Sequence, residues 1–60
     1  MFEMLAEASC RLGLTSGFAE VRRLIDGKGI MINGLHATAW DQVVMPGDVI
    51  QVGKHKVAVV

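Results

Sequence analysis

The sequence predicts an α+β domain, two short helices followed by a small, mostly antiparallel sheet, and three observations carry that reading. Apolar residues recur every three or four positions up to Asp26, and the pattern becomes alternating after Gly29. A glycine-flanked break, Gly27-Lys28-Gly29, separates the two regimes. Asn33-Gly34 then stands between Ile30-Met31-Ile32 and Leu35-His36-Ala37, the strongest short-range signal for a hairpin.

A chain of 60 residues has room for one domain, residues 1–60, because so short a chain buries only roughly 60% of the surface it exposes when unfolded. Its hydrophobic share of 52% against 20% charged argues for a packed globule rather than a disordered segment. The single cysteine, Cys10, excludes an internal disulfide, and no Cys/His set has zinc-ligand spacing, so no metal or other cofactor is expected. An acid, Glu3, stands where a secretory signal would be basic, and no apolar run approaches the ~20 residues of a membrane span. A cytoplasmic location is the expectation. Net charge is zero, six basic against six acidic side chains, so the molecule as a whole has no electrostatic pull on a polyanion. Any such attraction must be local.

The first helix is expected over Phe2–Leu12, with Phe2, Leu5, Ala8, Ser9 and Leu12 along its buried stripe. Glu7 stands four residues before Arg11 in the favourable order for an ion pair, and Gly13 supplies a left-handed terminator. Thr15 or Ser16 is positioned to cap a second helix, from about Gly17 to Asp26, although Ala19 leaves the full capping box incomplete. Phe18, Val21, Leu24 and Ile25 form its buried stripe, while Ala19, Arg22, Arg23 and Asp26 face outward. Met45-Pro46-Gly47-Asp48 reads as a tight turn, proline fixing one central φ and glycine accepting a positive one. Val49–Val52 and Val57–Val60 complete the sheet as a pair around Gly53-Lys54.

Leu12–Ser16, Glu20–Ile25, Ile30–Gly34 and Pro46–Ile50, in that order and over about four fifths of the chain, resemble the S-four RNA-binding domain family. The closing stretch Gly47–Val57 is similar to the C-terminal end of bacterial tyrosyl-tRNA synthetases, where such a domain is appended to a catalytic body. The resemblance implies the αL motif, a helix-turn-helix packed on a small curved sheet, with RNA held by the helical pair and the glycine-containing loop after it. Arg22 and Arg23 match the family's paired basic positions. Lys28 follows in the loop, Arg11 borders the same surface, and Ser16 stands at the amide-rich start of the second helix, where phosphate oxygens are favoured. Lys54 and Lys56 add a basic cluster between the last two strands. Where family members usually carry basic residues, this chain has Met4 and Phe18, which implies a weak, accessory grip.

Each of these residues also has a plain structural reading. Arg22 could pair with Asp26, and Lys54-His55-Lys56 could be a solvated turn. His36 and His55 lack partners at ligand spacing, Cys10 lacks an activating cation beyond Arg11, and Trp40 more readily caps a core than stacks on a base. No Gly-Lys-Ser/Thr nucleotide loop occurs. The expected function is therefore RNA binding without catalysis. The partner is tRNA, with the domain tethered to a synthetase's catalytic body, or ribosomal RNA, bound by a free-standing protein; a protein-contact module that has lost RNA binding is the third alternative.

Overall fold

The computed structural model describes residues 3–60. It is an α+β domain whose elements run β1 (Glu3–Met4), α1 (Leu5–Arg11), α2 (Phe18–Asp26), β2 (Ile30–Ile32), β3 (Leu35–His36), β4 (Val43–Val44), β5 (Val49–Val52) and β6 (Lys56–Val59). The strands form two antiparallel sheets rather than the single one expected. β3-β2-β5-β6 make a four-stranded sheet, and β1 pairs with β4 in a separate two-stranded ribbon, Glu3 opposite Val44 and Met4 opposite Val43.

That ribbon shortens the first helix. Glu3 and Met4 are extended, so α1 begins at Leu5, and Phe2, the first member of the expected stripe, lies outside the described residues. The remaining stripe is as expected: Leu5, Ala8 and Ser9 are fully buried and Leu12 packs against the core. No side chain caps α1. Its first two amides are satisfied by a distant loop instead, Leu5 N–H donating to the carbonyl of Gln42 at 2.7 Å and Ala6 N–H to that of Trp40 at 3.0 Å. At the other end Gly13, with φ +76°, donates to Cys10, and Leu14 donates to Ser9. This is the paired bonding of a Schellman terminator, and Leu14 is buried beside it.

The start of α2 differs from expectation. Gly17 is the N-cap and accepts no capping by side chain; neither Thr15 nor Ser16 caps the helix. Glu20, at N3, reaches back past the N-cap, its Oε1 accepting from the Ser16 backbone N–H at 3.1 Å. Val21 is fully buried and Leu24 and Ile25 pack on the core, but Phe18 is 45% exposed and lies against Trp40, ring centroids 6.1 Å apart. Being in the first turn, Phe18 projects past the edge of the core.

The end of α2 repeats the Schellman bonding with a lysine in the glycine place. Lys28 N–H donates to Ile25 and Gly29 N–H to Leu24 at 2.6 Å, and the left-handed residue is Lys28, φ +58°. Gly29 is needed for space: a Cβ there would lie 3.3 Å from the Leu24 carbonyl oxygen and 3.1 Å from its Cδ2.

β2 and β3 join through Asn33-Gly34, both at positive φ, as a tight hairpin turn requires. β5 fills the gap between β2 and β6, Ile30 opposite Val52 and Val52 opposite Lys56. The turn before β5 is held by Asp48, which accepts from Met45 N–H at 2.9 Å and from Asn33 Nδ2 at 3.2 Å. Leu5, Val21, Ile30, Val44 and Ile50 are fully buried and draw both helices and both sheets onto one core.

Candidate functional site

Arg22 and Arg23 are exposed on α2, as their place on the helix demands with Val21 turned inward. The expected Arg22–Asp26 pair does not form; among the described residues the ion pair is Arg11–Glu3. Lys28 is exposed one turn beyond Arg23, whose carbonyl accepts from Gly27 N–H. Lys54, His55 and Lys56 are exposed on the turn and first residue of the β5–β6 hairpin.

The fold brings three of these cations, Lys28, Lys54 and Lys56, onto neighbouring segments. Gly53 N–H donates to the carbonyl of Gly29 at 2.8 Å, tying the β5–β6 turn to the loop that carries Lys28. The row Ile30–Val52–Lys56 crosses three strands, so Lys56 lies two strand spacings, about 10 Å, from the residue after Gly29. Arg22 and Arg23 precede Lys28, on α2, so the cationic arc is the exposed set Arg22, Arg23, Lys28, Lys54 and Lys56, carried by three segments that the Gly53–Gly29 bond and the β2–β5–β6 row link.

Two expected contacts stand apart from the arc. Arg11 is engaged in a two-pronged ion pair, Nε to Glu3 Oε2 at 2.9 Å and Nη2 to Oε1 at 3.0 Å. Hydrogen bonding from Arg11, then its charge, holds the Glu3 carboxyl below its ordinary range, and the same contacts raise the guanidinium. The pair replaces the Glu7–Arg11 pair expected from helical spacing, because β1 delivers Glu3 to the end of α1. Ser16 and Lys28 flank opposite ends of α2, whose nine residues span roughly 13 Å. Its N–H and hydroxyl face the Glu20 carboxylate at 3.1 and 3.4 Å, so the start of α2 already holds an anion of its own.

Of the acids, Glu3 is paired with Arg11, whereas Glu20 and Asp48 accept hydrogen bonds from the neutral groups of Ser16 and of the Met45–Asp48 turn and keep their charge. Asp48 is held below the ordinary carboxylate range by the Met45 amide first and the Asn33 side chain second. Five of the six basic side chains, all but Arg11, have no ion-pair partner among the described residues.

Beside the arc lies a groove of about 280 Å³ between α2 and the 38–41 segment, lined by Arg22, Ile25, Asp26, Thr38, Ala39, Trp40 and Asp41. Its outer wall is fixed by the α1 amides that bond Trp40 and Gln42. The sequence offered no local sign of it, because its walls come from two segments with no shared pattern. Cys10 is partly buried with Sγ 3.5 Å from Thr15 Oγ1, and no three His, Cys, Asp or Glu residues cluster among the described residues. No helix among them is long and apolar enough to cross a membrane. Comparison with family models, with curated proteins and with solved structures finds no significant match.

Proposed function

We propose that this chain is an RNA-binding module of the S-four type, a helix-turn-helix on a small sheet that grips structured RNA through its phosphates. It contributes the grip and no catalysis. tRNA is the leading partner and a synthetase's catalytic body the leading tether, on the resemblance of Gly47–Val57 to the end of tyrosyl-tRNA synthetases; ribosomal RNA bound by a free-standing protein is the alternative. Either places the domain in the cytoplasm. The observation that carries the reading is the arc: five exposed cations without an ion-pair partner among the described residues, on α2, its terminal loop and the β5–β6 hairpin. Guanidinium groups contact phosphate bidentately and lysines act as point charges, so the arc suits a backbone and reads no base.

With four or five phosphates neutralised, affinity falls about a hundredfold between roughly 50 and 200 mM salt. Tethering to a larger RNA-binding enzyme compensates for such weakness by raising the effective concentration of the contact. The test is a tRNA titration at those two salt concentrations with the parent and with Arg22→Ala/Arg23→Ala, both exposed and so neutral to folding. The expected result is salt-sensitive binding that weakens about tenfold in the double variant. Absence of binding at low salt would favour the protein-contact reading, whose support is the outer sheet face on which Val49, Val57 and Val59 are exposed.

A further inference from the structure

We infer that the groove between α2 and the 38–41 segment receives one unpaired guanine of the bound RNA, stacked on Trp40, its Watson–Crick edge read by Asp26 or Asp41. The inference rests on the RNA-binding reading and adds a base-specific contact to a surface that otherwise grips only phosphates.

The groove's size fits a single planar base. Its volume of about 280 Å³ falls at the lower limit of small-molecule sites, which start near roughly 300 Å³. Ile25, Ala39 and Trp40 supply apolar lining. The Trp40 ring is braced by Phe18, tilted 41° to it, and its backbone is pinned by the Ala6 amide. An indole held in this way stacks a base with little further loss of freedom.

The charges select which base. Asp26 and Asp41 outnumber Arg22 in the lining, so the groove's interior favours a neutral ring that donates hydrogen bonds. A carboxylate accepts two bonds side by side. Guanine presents N1–H and the 2-amino group next to each other. Cytosine and adenine place a ring-nitrogen lone pair beside their amino group, and uracil flanks its one N–H with two carbonyl oxygens. A carboxylate therefore meets two donors in guanine and a repelling lone pair in each of the others. Arg22 belongs both to the groove and to the cationic arc, so a nucleotide seated in the groove keeps its phosphate beside the same guanidinium. RNA recognition by stacking and Watson–Crick edge contacts requires unpaired bases, which directs the groove to a loop or bulge.

Trp40 is the only tryptophan and the chain has no tyrosine, so intrinsic fluorescence reports on the groove directly. The probes are a hexauridylate carrying one central guanosine, the same oligomer with inosine or adenosine in its place, and guanosine 5′-monophosphate. The guanosine oligomer is expected to quench Trp40 saturably. Inosine, which lacks the 2-amino donor, and adenosine weaken the effect about tenfold. Asp26→Asn/Asp41→Asn abolishes the preference, whereas Arg23→Ala weakens all oligomers alike and keeps it. Equal quenching by guanosine and adenosine oligomers, or a preference that survives in the Asp26→Asn/Asp41→Asn variant with its circular dichroism unchanged, overturns the inference. Salt-sensitive tRNA binding with no base preference would sink the guanine site and leave the phosphate grip standing. A guanosine monophosphate preference with no RNA binding would instead overturn the RNA reading.

Discussion

At the C-terminal end of α2 a lysine with φ +58° occupies the left-handed position that glycine usually takes, at a steric cost of roughly 1–2 kcal/mol, although glycines stand on both sides of it. Strain at one residue, with the side chain exposed in the loop tied to the β5–β6 turn, makes Lys28 the place to test whether a side chain is kept for contact rather than for folding. Lys28→Gly separates the two roles. It relieves the left-handed penalty, offset in part by the greater freedom of glycine in the unfolded chain, and leaves the Schellman hydrogen bonds intact. The expected outcome is a stability gain of roughly 0.5–1 kcal/mol in urea melts together with weaker tRNA binding at low salt. A loss of stability would show that the ammonium group, and not glycine's absence, sets the energy of that turn.

Between elements, short side-chain ties do the work that longer strands would do elsewhere. Asp48 joins the Met45–Asp48 turn to the β2–β3 hairpin through Met45 N–H and Asn33 Nδ2, and Glu3 joins β1 to the end of α1 through Arg11. Both carboxyls have folded-state pKa values below their unfolded ones. Their contribution is therefore fully present above the unfolded value, near pH 4, and is lost as pH falls through the folded values. Urea midpoints should hold steady from neutrality to about pH 5 and then decline on acidification. Asp48→Asn should flatten part of that decline, leaving the part due to Glu3, and an unchanged acid slope would remove Asp48 from the account. The ties also mark what could be read from the sequence. The helices, the Asn33-Gly34 hairpin and the proline turn were legible because each is announced within a few residues by period or by turn chemistry. β1 and β4 were not: two residues each, paired across about 40 positions, they leave no periodicity. Without β1, spacing alone favours Glu7 as the partner of Arg11 and extends the helix back to Phe2. Glu20 bonds Ser16 four residues back, a spacing outside the three-residue capping-box pattern, so the sequence does not announce it. The individual cations were visible, but their convergence depends on the β2–β5 pairing and the Gly53–Gly29 bond, which are long-range facts.

Over the whole molecule, a salt titration can count the cations that meet phosphate. Each cation that displaces a counterion from phosphate contributes about 0.7–0.9 to the slope of log affinity against log salt. If the arc acts as one footprint, the parent slope is about −3.5 to −4.5, the value for Arg22, Arg23, Lys28, Lys54 and Lys56 together. Lys54→Ala/Lys56→Ala should then reduce its magnitude by about 1.5 to 2, even though these residues lie in a different element from the helix that carries the arginines. Arg11→Ala should leave the slope unchanged, because Glu3 already neutralises that guanidinium in the free protein. Both variants alter exposed side chains, and the fold of each is checked by circular dichroism before the titration. A parent slope near −2 that the hairpin variant does not alter would confine the grip to α2, and the Gly53–Gly29 bond would then join two loops without joining two halves of a binding surface.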